Sequence, residues 1–141
     1  MLQNDLEKAL TDINKVVERN PKNPRAYSNR GYVYYLQNGL DKALTDYNKA
    51  LKLDPNLVPA YNYRGKVHLK QARYKEAVED FNKSLLLHPG DMYLYQWLGQ
   101  AYQGLGEKNK AIASYRKVLE DSQNHELRQE TQELLDNLSG K

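Results

Sequence analysis

Ala60-Tyr61-Asn62-Tyr63-Arg64-Gly65 occurs a first time, 34 residues earlier, as Ala26-Tyr27-Ser28-Asn29-Arg30-Gly31, and a third time, 34 residues later, in the looser form Leu94-Tyr95-Gln96-Trp97-Leu98-Gly99. The step is kept outside this phrase as well. Ala43, Ala77 and Ala111 are in phase, as are Tyr47, Phe81 and Tyr115, and Pro21, Pro55 and Pro89. A fixed period of this length is the mark of helical hairpins stacked in an array, since one hairpin cannot bury its apolar face alone. It therefore outranks any local reading.

The recurring residues have physical reasons. Gly31, Gly65 and Gly99 fall inside helical patterns, where glycine costs about 1 kcal/mol against alanine. Its recurrence in register predicts a close approach of the partner helix's backbone at that point. Ala43, Ala77 and Ala111 are the small residues of the partner helix, with the in-phase rings filling the wider gap beyond. Pro55 and Pro89 end the second helix of their units, because a residue before proline is biased away from helix.

Read along the chain, residues 2–19 form a helix with Leu6, Ala9, Leu10, Ile13, Val16 and Val17 on one face. Leu6–Pro21 aligns with Leu40–Pro55, so it reads as the second helix of a half repeat spanning 1–21. Three full units follow at 24–57, 58–91 and 92–125. Their first helices are predicted at 24–37, 58–71 and 92–104, and their second helices at 41–53, 75–87 and 108–121. Gly39 and Gly106 stand at the links, where a helix commonly ends in the left-handed conformation. Gln123 replaces the proline expected after the third unit. A last helix at 125–138 carries Leu127, Thr131, Leu134, Leu135 and Leu138 on one face and reads as a cap, which a solenoid requires.

This pattern resembles the tetratricopeptide repeat (TPR) family over nearly the whole chain. The resemblance implies an all-α fold, a right-handed α-solenoid of TPR helical hairpins in a single domain over 1–141. It also implies a concave groove, lined by the first helices, that holds an extended peptide or a helix of a partner.

Composition narrows the function. Charged residues make up 28% and hydrophobic residues 40%, ordinary fractions for a soluble protein. A net charge of +3 is far from the strongly basic surface of a dedicated nucleic-acid binder. No apolar run approaches the ~18 residues of a membrane span, and the N-terminal stretch lacks the features of a secretory signal. With no cysteine there is no disulfide and no thiol chemistry, and a cytoplasmic location is the expectation. His68, His88 and His125 are too widely spaced for a metal site read from spacing. His68 takes the place of Tyr34 and Tyr102, which predicts a packed substitute for a ring. No catalytic constellation can be assembled, and Gly104-Leu105-Gly106 lacks the strand context of a nucleotide loop. The expectation is a non-enzyme without cofactors.

Arg30 and Arg64 precede the repeated glycines, while Asp46 and Asp80 precede the repeated rings. In the third unit both members change together, to Leu98 and Ser114. That joint change predicts that each Arg reaches the Asp of its own unit. Asp12 is the matching Asp of the half repeat and has no such Arg.

The remaining stripe of each first helix follows i, i+3/i+4, i+7 spacing. It offers Arg25, Ser28, Asn29, Tyr32, Tyr35 and Leu36 in the first unit, then Asn62, Tyr63, Lys66, Leu69 and Lys70 in the second. The third contributes Tyr93, Gln96, Trp97, Gln100 and Gln103. The chain has 12 tyrosines against one Phe and one Trp, and rings with a polar tip suit half-wet surfaces that bind partners. Asn and Gln can bond a peptide backbone through paired donors and acceptors. The expected peptide-binding residues are Tyr32, Tyr35, Asn62, Tyr63, Lys66, Lys70, Tyr93, Gln96, Trp97 and Gln100.

One subset of the family grips chaperone C-terminal carboxylates with a clamp of Lys, Asn and Arg. The corresponding positions here hold Ser28, Tyr32, Tyr63, Tyr93 and Trp97, so the resemblance does not imply that activity. A second subset runs an asparagine ladder along the groove; only Asn29 matches it, and Tyr63 and Trp97 interrupt it. The reading is a non-catalytic protein-interaction scaffold for a peptide with apolar or aromatic anchors and acidic character. Two alternatives stand beside it: a homodimer through Leu6, Leu10, Ile13 and Val17 of the first helix, or a fragment of a longer protein with catalysis elsewhere.

Overall fold

In a computed structural model, which describes residues 2–140, the chain is helical throughout, with eight α-helices and no strand among those residues. They are α1 (Leu2–Arg19), α2 (Pro24–Leu36), α3 (Leu40–Leu53), α4 (Val58–Lys70), α5 (Tyr74–Leu87), α6 (Met92–Gly104), α7 (Lys108–Asp121) and α8 (His125–Leu138). Every boundary lies within one residue of its sequence-based expectation. Side chains fix several helix starts. Asn23 caps α2 by accepting from the Ala26 amide, with Pro24 in the first turn, and Asp91 and Asn124 cap α6 and α8 on the Tyr93 and Leu127 amides.

The links depart from expectation in an instructive way. Gly39 has φ −84° and starts α3, whereas Asn38 before it takes the left-handed turn at φ 60°. Ala72 does the same at φ 57°, and Gly106 at φ 76°. The left-handed position is thus 38, 72 and 106, again in phase. Asparagine tolerates that conformation, glycine adopts it freely, and alanine is strained there.

The residues fall into two compact units, Met1–Val67 and His68–Lys141. In the first, Tyr27, Ala43, Tyr47, Ala50, Leu51, Leu57, Ala60 and Val67 form the core, with Val17, Tyr35 and Tyr63 packed against it. In the second, Ala77, Phe81, Leu94, Leu98 and Ala101 do so, with Leu69 and Trp97 alongside. α8 buries Leu127 and Thr131 and leaves Glu130 and Glu133 exposed.

Gly31 and Gly99 are explained by rings rather than by backbone. A Cβ on Gly31 would lie 2.9 Å from Cε1 of Tyr47, and one on Gly99 only 2.4 Å from Cε1 of Tyr115. The Tyr47 and Tyr115 rings press against these bare stretches, and a methyl group would occupy their space. A third case was not expected: Gly104 meets the Tyr74 ring, with a Cβ there 2.5 Å away.

The Arg30–Asp46 pair is formed. The Arg30 guanidinium donates through Nε and Nη2 to the two Asp46 oxygens, each at 2.8 Å, and through Nη1 to Asn14 Oδ1 at 3.1 Å. The hydrogen bond to Asp46 raises the Arg30 pKa above its ordinary value, more than burial lowers it. Asn14 was not singled out from sequence, although Arg64 repeats its contact by donating to Asn48 Oδ1 at 3.0 Å, one period later. Asp80 is buried, with His68 Nε2 3.8 Å from its Oδ2. His68 is therefore a half-buried partner for a carboxylate as well as a replacement for a ring. Asp12 is exposed to solvent.

Candidate functional site

The first compact unit gathers tyrosines on one side of α2 and α4. Tyr32 and Tyr35 lie one turn apart on α2 with ring centroids 6.4 Å apart. Tyr63 of α4 approaches both, at 4.7 Å from Tyr32 and 5.8 Å from Tyr35, and stacks on Tyr47 of α3 at 6.4 Å with a 14° interplanar angle. The Lys66 ammonium lies over this group, 5.4 Å from the Tyr35 centroid and 5.3 Å from that of Tyr63. A cation held against ring faces gains from their quadrupoles. Tyr32 keeps 38% of its surface exposed, so the cluster has a wet edge. Tyr35, Asn62, Tyr63 and Lys66 are half-buried.

In the second unit, Tyr93 and Trp97 of α6 lie 5.9 Å apart, and Trp97 packs inward on Phe81 at 6.0 Å. Tyr93 is 44% exposed. Its hydroxyl accepts from the Asn124 side-chain amide at 3.0 Å, which joins the ring to the cap of α8. Gln100 is half-buried, Lys70 exposed.

Gln96 is placed differently from a residue open to a ligand. It is only 6% exposed and donates to Thr131 Oγ1 at 3.2 Å, so α8 covers it. Ser28, two periods earlier, is likewise buried. Nothing in the period shows where the last helix docks, which is why sequence alone left Gln96 on the surface. Of the residues expected to make a dimer through α1, Leu6 is buried and Val17 packs against the first core. Leu2 and Val16 remain exposed.

The repeated ring position behaves differently in each unit. Tyr115 donates to Gln103 Oε1 at 3.0 Å, and burial pushes its pKa up to about 12. Phe81, one period earlier, has no hydroxyl to satisfy. Tyr47 is fully buried, and its hydroxyl has no hydrogen-bond partner among the described residues. Burial first, and then the Tyr63, Tyr35 and Tyr32 hydroxyls, push its pKa far above the ordinary tyrosine value, so it is a neutral donor throughout the physiological range.

Family profiles match in register with this geometry: a TPR repeat profile over residues 1–38 and 31–72, and tetratricopeptide repeat profiles over 58–91 and 93–125. The chain belongs to the tetratricopeptide repeat family. Among solved structures, it is similar to MamA 41-end from Desulfovibrio magneticus RS-1, with 26% identity and a TM-score of 0.84 over 94% of this chain and 73% of that one. A second MamA crystal structure shares 25% identity at a TM-score of 0.76, and the chain spans 63% of its length. YrrB, described as a TPR protein with an unusual peptide-binding site, shares 30% identity at a TM-score of 0.75, over 82% of this chain and 60% of that one. No curated protein sequence matches the chain significantly. No helix among the described residues is long and apolar enough to cross a membrane.

Proposed function

We propose that the chain is a non-catalytic protein-interaction scaffold that takes a partner peptide or helix on the ring-lined stripe of its first helices, the concave face in this family. The observation that carries this reading is the Tyr32–Tyr35–Tyr63 cluster with the Lys66 ammonium over it and a wet edge at Tyr32. Tyrosine supplies contact area at low entropy cost, and such rings are enriched at binding hot spots. Lys66 favours acidic character in the partner, and the rings favour apolar or aromatic anchors. The peptide-binding site in the description of YrrB supports a use of this kind for the fold.

Selection of a displayed peptide library on the immobilised chain tests the proposal. Enriched peptides should carry aromatic or aliphatic anchors beside Asp or Glu, and Tyr32→Ser and Tyr93→Ser should weaken their binding with little change in melting temperature. These two are the informative substitutions, because Tyr63 and Trp97 also pack against the cores. Peptides that bind both variants as well as the parent chain would refute the location. A homodimer through α1 is a second reading, favoured by exposed Leu2 and Val16. Sedimentation that shows a monomer at every concentration would remove it.

A further inference from the structure

α3, α5 and α7 bury one and the same face, and α1 leaves it open. The positions of Ala43, Asp46, Tyr47 and Ala50 in α3 are buried, as are those 34 and 68 residues later in α5 and α7, and none exceeds 7% exposure. One period earlier, on α1, these positions are Ala9, Asp12, Ile13 and Val16. Ala9 and Ile13 are only half-buried, Asp12 is exposed, and Val16 keeps 44% of its surface in solvent. α2 covers the other side of α1, where Leu6 is buried, Val17 meets the core and Asn14 accepts from Arg30.

The charge of this face says what fits it. In α3 the corresponding carboxylate, Asp46, takes both bonds of the Arg30 fork at 2.8 Å. In α7 the carboxylate has become Ser114, and the arginine that would meet it has become Leu98. Acid and base are therefore lost together. Asp12 keeps the acid, yet its side chain has no hydrogen bond or ion pair among the described residues, even with Lys8 and Lys15 a turn away on α1. A purely apolar cover would strand that charge, whereas a guanidinium matches a carboxylate through two parallel bonds. α1 of a second copy would bring another Asp12 to the contact instead of a cation.

We propose that this face of α1 docks a helix of a protein partner, whose arginine pairs with Asp12 while small or apolar residues pack on Ala9, Ile13 and Val16. α2 shows that chemistry to α3, with Arg30 beside the bare backbone of Gly31. Ala9 and Val16, two turns apart, supply the apolar contact to either side of the charge. The face lies outside the ring-lined stripe, so the inference does not depend on the interaction reading above.

A peptide of residues 22–38 of this chain, acetylated and amidated, is a probe with the required arginine, and its Arg30→Gln form is the neutral control. Each is titrated into the ¹⁵N-labelled full chain. The arginine peptide should shift the Ala9, Asp12, Ile13 and Val16 amide signals saturably and bind about ten-fold more tightly than the control. Asp12→Ser in the full chain should erase that difference, and Val16→Glu should weaken both peptides. Both positions are exposed, so neither substitution should move the unfolding midpoint of the free chain.

No saturable shift on α1, equal binding of the two peptides, or a preference that survives Asp12→Ser would overturn the proposal. Shifts confined to Tyr32 and Tyr93 would overturn it too, by placing the peptide on the ring-lined stripe. A concentration-dependent dimer that Val16→Glu dissociates in sedimentation would put a second copy on this face and defeat the partner helix.

Discussion

The Arg30–Asp46 pair can be dissected with substitutions that the chain itself supplies. In the third unit the same two positions are Leu98 and Ser114, both buried, so Arg30→Leu, Asp46→Ser and the double variant form a cycle toward an arrangement this fold already holds. The Asp46 side chain is 4% exposed and that of Arg30 is 21% exposed. Arg30→Leu strands a carboxylate in the interior and should cost about 3–5 kcal/mol. Asp46→Ser strands a guanidinium that reaches solvent and still donates to Asn14; its cost should be smaller, about 2 kcal/mol, near that of a hydrogen bond to a charged group. The double variant should lie within about 1 kcal/mol of the parent, since replacing a buried pair by well-packed groups is often nearly neutral. Urea unfolding followed by circular dichroism reads all three. With a slope of about 1–3 kcal/mol per molar urea, Arg30→Leu should lower the midpoint by roughly 1–5 M. A double variant as unstable as the sum of the two singles would refute the pairing, and Asp46→Ser costing more than Arg30→Leu would refute the burial argument.

Ala72 sits left-handed at φ 57°, so Ala72→Gly should raise the unfolding midpoint by an amount corresponding to about 1 kcal/mol, and a loss would mean the link is held by something other than its backbone. Gly99→Ala adds a methyl group 2.4 Å from the Tyr115 ring and should cost about 1–3 kcal/mol despite the helix propensity of alanine, with most of the loss recovered when Tyr115→Leu accompanies it. Tyr115 itself should make stability pH-dependent, because its pKa is raised from 10.0 to about 12 in the folded chain. Its contribution is complete below about pH 10; as pH rises toward about 12 the unfolded state gives up a proton that the folded state retains, and up to roughly 2 kcal/mol is lost. Denaturation at pH 8 and pH 11 should therefore show a smaller alkaline loss for Tyr115→Phe than for the parent.

The period of the sequence carried the helices to within a residue, and the joint change of Arg and Asp in the third unit carried the Arg30–Asp46 contact. Both are signals repeated inside one chain, so they can be read without a structure. What escaped depends on single residues breaking the repeat. Gly39 drew attention as the left-handed residue because glycine usually is, yet Asn38 can adopt that turn and Ala72 is forced into it. Spacing predicts a backbone contact at Gly31 and Gly99, because a ring pressed against a helix leaves no mark in spacing beyond the ring itself. In the candidate site, the helical spacing of Tyr32 and Tyr35 and the period that sets Tyr63 put these rings on equivalent stripes. Gln96 could not be removed from the surface without knowing where α8 lies. The unsatisfied Tyr47 hydroxyl had a legible trace, because Tyr115 pairs with Gln103 and Phe81 with Leu69, while Tyr47 is matched to Tyr35.

Two tyrosine hydroxyls have a consequence for how such a chain can change in length. Tyr27 donates to the Pro21 carbonyl at 2.9 Å, and Tyr61 to the Pro55 carbonyl at 2.8 Å, each six positions back across the turn between hairpins. The connection is thus metered by a bond that tolerates one chain length. A single inserted residue between proline and tyrosine would rotate the ring by about 100° around its helix and carry the hydroxyl away from its acceptor. Duplication of a complete 34-residue segment brings its own proline and tyrosine and leaves every existing tie intact. Growth and shortening of this scaffold are therefore favoured in whole modules, and a library of length variants should survive at multiples of the period and fail between them.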